Sequence, residues 1–296
     1  MRSIRQQCAQ LAMAVALLAL VAVAAAPAKA ALLGYDGFET YTAGQTLAGK
    51  NGGLGFTAAW ASNSQPVVSN ASLQYVNGQL AVDGGSKAVK VFGPGETLVV
   101  DNIANRRFAT QTGPVYWSLL FRVDDATGDN DFIQFILSND TDHDNSGSYG
   151  YRRKADPYTT QGFFARVRST SDQTYNTSQY ATTGQTYFLV GKFFPVGASY
   201  AQTDLWVNPT TATEPTGPSD YWLHAWTQKD SQTNNLAYFL IRTAFYESNQ
   251  SFTFDELRIG TSYADVVTAV PEPSTALLFA AGVVAGLFVL RRRVGA

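Results

Sequence analysis

Leu73-Gln74-Tyr75-Val76-Asn77-Gly78-Gln79-Leu80-Ala81-Val82 reads as two short strands folded about a tight turn. Asn77-Gly78 suits the two positive-φ positions of a type I′ turn, and the flanking aromatic and β-branched residues suit a pleated sheet. Outward from this hairpin, runs rich in Val, Ile, Phe, Tyr and Thr alternate with Gly, Asn, Asp and Pro clusters, and no long segment repeats at 3.6 residues. The pattern predicts further strands over 87–92, 115–123, 132–137, 162–168, 187–194, 203–207, 236–245 and 252–259. Trp117-Ser118-Leu119-Leu120-Phe121-Arg122-Val123 and Phe163-Phe164-Ala165-Arg166-Val167-Arg168 partly alternate apolar with polar residues. Such strands belong to antiparallel sheets with one buried and one wet face. The predicted fold class is therefore all-β, an antiparallel sandwich. No linker divides residues 31–265, which read as one domain, and 266–274 reads as a spacer.

Composition narrows the function. Removing residues 1–30 and 271–296 leaves 15 basic and 22 acidic side chains, a body near −7. Nucleic-acid binding needs clustered positive charge to displace counterions, so no nucleic-acid partner is expected. The same 240 residues hold 36 aromatic side chains, enough for a large core. The only cysteine, Cys8, lies in the expected leader, so the body has no thiol chemistry or disulfide. His143 and His224 are the only histidines, too few for a His-rich metal centre.

Both ends read as targeting segments. Arg2 and Arg5 precede an apolar run from Leu11 to Val23, and Ala28-Lys29-Ala30 places small residues at −3 and −1 of a cut before Ala31. Residues 1–30 are thus expected to be a signal peptide, with signal peptidase as a partner. At the other end Pro271-Glu272-Pro273 precedes an uncharged stretch, 275–290, and then Arg291-Arg292-Arg293 within a basic tail, 291–296. Sixteen helical residues span roughly 24 Å, short of a hydrocarbon core of about 30 Å, but arginines snorkel and bilayers thin. A single transmembrane helix with cytoplasmic arginines follows, leaving the body outside.

That C-terminal order, Pro-Glu-Pro then a short apolar helix then arginines, resembles the PEP-CTERM sorting signal of bacterial exported proteins. The resemblance implies that a membrane-embedded exosortase recognises the tail and cleaves near Pro271-Glu272-Pro273. The anchor is then transient, and the body goes to the cell surface or extracellular matrix. Gly34-Tyr35-Asp36-Gly37-Phe38-Glu39, the segment Gly49 to Trp60, Leu205-Trp206-Val207-Asn208-Pro209 and the segment Phe254 to Ser262 resemble jelly-roll domains of the concanavalin A-like lectin/glucanase (laminin G-like) type. Such folds host many functions, so the site must be argued separately.

Glucanases on that scaffold use two glutamates on one strand. The body has only Glu39, Glu96, Glu214, Glu247 and Glu256, with no Glu-x-Asp-x-Glu pattern. Asp255 and Glu256 are adjacent, so on a regular strand they face opposite ways. Ser146-Gly147-Ser148-Tyr149-Gly150 lacks the first glycine of a hydrolase elbow. No catalytic residue is assigned and the chain is expected not to be an enzyme. Asp140, Asp142 and Asp144 alternate in a loop from Asn139 to Gly147, and such carboxylates can wrap a calcium ion, the one cofactor the sequence suggests. A solvated turn explains the same residues. Asp124, Asp125, Asp129 and Asp131 form a second acidic turn at the far end of the intervening strand. Trp222 and Trp226, with Asp220 and His224, form the candidate sugar site, because pyranose faces stack on exposed rings and carboxylates take hydroxyls; packing of the tryptophans explains the pair as well. Trp60, Trp117 and Trp206 are expected in the core. Three readings stay open: a module binding extracellular polysaccharide, a structural surface or biofilm protein, and, least favoured, a glycan-degrading enzyme.

Overall fold

A computed structural model describes residues 32–63, 65–93, 99–128, 131–153, 162–167, 173–175 and 179–268. The expected leader with Ala28 and Ala30, Asp129, Pro271, Glu272 and Pro273, the apolar segment 275–290, and Arg291, Arg292 and Arg293 lie outside them. No helix among the described residues is long and apolar enough to cross a membrane.

The first strands are short: β1 (Gly34–Asp36), β2 (Ala61–Ser62), β3 (Pro66–Ser69), β4 (Gln74–Asn77), β5 (Leu80–Asp83) and β6 (Ala88–Phe92). Next come β7 (Val99–Gln111), β8 (Val115–Val123), β9 (Phe132–Ser138), β10 (Gly147–Arg152), β11 (Gly162–Val167) and β12 (Gln173–Tyr175). The chain closes with β13 (Thr186–Val196), β14 (Ser199–Val207), β15 (Leu223–Gln228), β16 (Leu236–Ala244), β17 (Ser251–Gly260) and one five-residue helix, α1 (Tyr263–Val267). One sheet runs β15-β14-β13-β8-β17-β6-β3, with β1 added against β17, and the second runs β12-β11-β10-β9-β16-β7-β2. The ladders are antiparallel, so the architecture is the jelly-roll sandwich that the sequence implied.

Between the sheets lies an aromatic core. Trp117 on β8 sits with ring centroids 5.2 Å from Tyr149, 5.7 Å from Phe135 and 5.9 Å from Phe239, all three from the opposite sheet. Trp60 and Trp206 are buried as expected. A second apolar cluster forms on the outer face of the first sheet, where the β4–β5 hairpin and α1 cover Tyr116, Leu120, Phe188 and Trp206. For this reason β8 is dry on both faces, correcting the expectation of one wet face. Val266 and Val267 belong to the same cluster, and the Ser118 hydroxyl donates to the Val266 carbonyl at 2.6 Å. The folded body therefore reaches Thr268, beyond the boundary expected at 265. The hairpin also turns one residue later than predicted. Asn77 pairs with Leu80, and the turn is Gly78-Gln79 with φ +58° at Gly78, the II′ pattern. A tertiary contact explains the shift: the Gln79 N–H donates to the Thr210 carbonyl, which would lie 2.5 Å from any Cβ at position 78.

The two sheets are joined by a buried ion pair. Asp36 on β1 and Arg106 on β7 are each 1% exposed. Asp36 also accepts from Tyr41 Oη at 2.7 Å, Trp60 Nε1 at 2.9 Å and the Phe38 N–H at 3.1 Å. Arg106 donates to the carbonyls of Gly52 and Ala58, and its guanidinium lies 4.1 Å from the centre of the Phe56 ring. Burial pushes the Asp36 carboxyl above its ordinary pKa of 3.8, and Arg106 together with the three donors pulls it back. Arg106→Met strands a buried carboxylate, and breaking such a pair costs about 3–5 kcal/mol. Urea denaturation should show that loss as a lower midpoint with an unchanged slope.

Candidate functional site

The predicted sugar-binding segment sits on the edge strand β15. Leu223, Ala225 and Thr227 point into the sandwich, whereas His224 and Trp226 alternate with them and face outward. Trp226 is 50% exposed and is paired across the ladder with Asp204. His224 Nε2 lies 3.1 Å from Asp204 Oδ1, and its ring is stacked on Trp206 at 5.6 Å with an interplanar angle of 10°. Tyr221 approaches the same imidazole at 5.3 Å. These contacts fix the imidazole between two aromatic rings and a carboxylate, next to the open face of Trp226.

Trp222 and Asp220 are not part of that surface. The strand begins only at Leu223, so the four-residue spacing does not put both tryptophans on one face. Trp222 stacks on Tyr187 at 5.6 Å and meets Phe163 edge-on at 6.2 Å, capping the inter-sheet core while staying 40% exposed. Asp220 accepts from the backbone N–H groups of Thr216 and Gly217, both at 3.3 Å, and so fastens its own turn. The shared platform expected of Trp222 and Trp226 is thus divided.

The acidic loop is organised by hydrogen bonds of its own. Asp140 Oδ1 accepts the Asp142 N–H at 2.8 Å, and Asp142 Oδ1 accepts the Asp144 N–H at 3.3 Å, two successive Asx turns. His143 Nδ1 stands 3.2 Å from Asp142 and Nε2 stands 3.8 Å from Asp144. The group gathered in space is therefore Asp142, His143 and Asp144, with ligand atoms within 4.8 Å of one another, and Asp140 is not in it.

Three of the glutamates weighed for a catalytic pair are held by hydrogen-bond donors. At Glu256 (φ +55°) the β17 ladder shifts register, so Asp255 and Glu256 leave the simple alternation. Glu256 accepts from Arg258 and from Tyr35 Oη at 2.8 Å, Glu214 from Lys192 and Tyr116, and Glu39 from Ser86 and Lys87. Asp255 is fully buried and accepts the Glu256 N–H at 2.8 Å. Ser148, the serine of the near-elbow, lies within strand β10 and has no strand-to-helix turn.

One constellation escaped the sequence reading: the outward face of the second sheet. Arg152, Arg166 and Arg242 occupy outward positions on β10, β11 and β16, and Arg107 joins them from β7 beside Tyr238. Arg242 donates to Gln134 Oε1 at 3.0 Å. The Arg152 and Arg242 guanidiniums lie 6.0 Å and 4.9 Å from the centre of the same Phe132 ring. The arginines themselves are scattered across 135 positions of chain, and only the ladder collects them.

Residues 269–293 match the PEP-CTERM protein-sorting motif. The chain is therefore an exported protein sorted by exosortase, with the motif's membrane anchor at its end. No curated protein matches the chain. Among solved structures it is similar to alginate lyase Aly36B in complex with alginate tetrasaccharide (11% identity, TM-score 0.38, 62% of this chain and 83% of that one). Lectin II from Ulex europaeus gives 9%, 0.39, 64% and 98%. An endo-β-1,4-glucuronan lyase from Trichoderma reesei gives 12%, 0.32, 70% and 96%.

Burial, and then the neighbouring Glu256, raises the Asp255 pKa well above 3.8. The fold then holds a proton that the unfolded chain releases, so stability is undiminished below pH about 3.8 and falls as pH rises from there towards the raised value. Asp255→Asn should remove that slope. Thermal melts from pH 3 to 8 should show the variant gaining on the parent with each rise in pH, and parallel curves would refute the assignment.

Proposed function

We propose that this exported chain is a noncatalytic polysaccharide-binding protein, displayed at the bacterial surface or released into the extracellular matrix after exosortase acts near Pro271-Glu272-Pro273. The observation that carries the reading is Trp226, a half-exposed indole with Asp204 and His224 fixed beside it. An exposed ring covers one face of a pyranose, and the carboxylate and imidazole take its hydroxyls. Catalysis by a carboxylate pair is disfavoured because Glu39, Glu214 and Glu256 are each held by hydrogen-bond donors and Asp255 is sealed from solvent. In this reading the loop carrying Asp140, Asp142 and Asp144 is a solvated turn, with the Asp142 and Asp144 N–H groups donating to Asp140 and Asp142.

Trp226→Ala should weaken retention on a neutral polysaccharide panel in affinity electrophoresis by about tenfold, with the melting temperature within a degree or two, since surface changes move stability by about 0.5 kcal/mol or less. Trp222→Ala should do the opposite, lowering the melting temperature through lost core packing while retention persists. Parent protein that no glycan retains would exclude the binding reading in favour of a structural surface protein. Chelation with EDTA should leave both retention and melting unchanged; a fall in either would restore a calcium site.

A further inference from the structure

Given the Trp226 surface as the glycan site, we infer that it selects a polysaccharide carrying free amino groups, protonated to ammonium. Trp226 on β15 and Asp204 on β14 are directly opposed across an antiparallel ladder. Opposed residues hold their Cβ atoms about 5 Å apart on one face, so the indole and the carboxylate address the same ligand group. Tryptophan is the best of the aromatic rings for a cation, and a carboxylate beside it binds an ammonium through charge as well as hydrogen bonding. The Trp226 ring, 50% exposed, is open to a ligand. Asp204 is engaged by His224 through Oδ1, at 3.1 Å, and among the described residues its Oδ2 accepts from nothing.

The surroundings favour a cation as well. Lys192 on β13 is the other cross-strand neighbour of Asp204. Glu214 Oε1 holds its ammonium at 2.8 Å, and that ammonium lies 4.5 Å from the Phe194 ring centre and 5.2 Å from that of Tyr116. Glu214 therefore balances Lys192, and the charge of Asp204 faces the Trp226 side. Lys229 and Asp230, which follow at the end of β15, are opposite charges next to one another. The body as a whole holds 22 acidic against 15 basic side chains, a field that draws a polycation in and turns acidic polysaccharides away. A chain suits the edge better than a single sugar, because the open positions continue past the pair. Gln228, exposed, and Gln202, part-exposed, form the adjoining cross-strand rung, and their amides offer donors and acceptors to the hydroxyls of a second sugar.

The test uses full-length protein in detergent at pH about 6, where such amines carry a proton. It is titrated calorimetrically with a β-1,4-linked glucosamine hexamer and with the fully N-acetylated hexamer, which has the same backbone without the charge. The amino hexamer should bind about tenfold tighter or more, and Trp226→Ala should weaken it by a similar factor. Asp204→Asn keeps an acceptor for His224 but loses the charge, so it should bring the two hexamers within about threefold of each other. Glu247→Gln removes one charge from the exposed β16–β17 loop, at the end of β17 remote from Gly260 and the Trp226 rung, and should leave the amine preference as in the parent. Unchanged melting temperatures will show that the variants fold. Equal affinity for the two hexamers, no binding of the amino hexamer, or a preference that survives Asp204→Asn would overturn the inference. So would a preference that Glu247→Gln erodes as much as Asp204→Asn does, since the body's overall charge then accounts for it. In each of these cases Trp226-dependent binding of the acetylated hexamer or of a neutral polysaccharide leaves the glycan site standing. Failure of both hexamers and of every neutral polysaccharide to bind would remove the glycan site itself, and the amine selectivity with it.

Discussion

The Asp36–Arg106 pair is the constraint on which the sandwich closes. A first strand of three residues has little sheet of its own to hold it, and a bare carboxylate in an aromatic core would expel it. Arg106 removes that penalty from the opposite sheet, and Trp60, Tyr41 and the Phe38 N–H occupy the remaining lone pairs. The loop between β1 and β2 is thereby fixed over the end of the core. Since one partner lies in each sheet, the pair also sets how the sheets face one another.

Once the sheets are locked, their two outer faces are free to differ. The first is largely sealed by the β4–β5 hairpin and α1, and only its β15 edge presents an aromatic ring to solvent. On the second, Arg152, Arg166, Arg242 and Tyr238 are part-exposed at outward positions, and Phe132, Gln134, Ile136, Phe164 and Leu240 among them are buried. The main core lies between the sheets, and a second apolar cluster on the outer face of the first sheet adds to it. Several acidic side chains of the body serve as braces: Asp36, Glu39, Glu214 and Glu256 each accept hydrogen bonds from neighbouring elements.

Several elements were readable from residue pattern. Strands β8, β9, β13 and β16 were found within two residues at each end because β-branched and aromatic residues cluster between turn formers. Strands β7, β10 and β15 were missed. Each is rich in polar or small residues, such as Asn105-Arg106-Arg107 or Gly147-Ser148, whose place in a sheet is imposed by the neighbours rather than by local preference. Within the candidate site, Trp226 and His224 were legible by residue type, as an indole and an imidazole in one short aromatic segment, although the strand that carries them was not. The separate place of Trp222 was not, because only the ladder shows that the strand begins at Leu223 and leaves Trp222 packed on Tyr187 and Phe163.

Residue order alone determined the all-β class, the C-terminal sorting signal and the lack of cysteine in residues 31–270, since these depend on local composition and on the order of charged and greasy segments. Tertiary structure decided which side chains meet. Arg107, Arg152, Arg166 and Arg242 share a face only because antiparallel registry folds distant strands side by side, and Asp36 finds Arg106 across 70 residues for the same reason. Local preference acts over a few residues, whereas a site is a fact of registry.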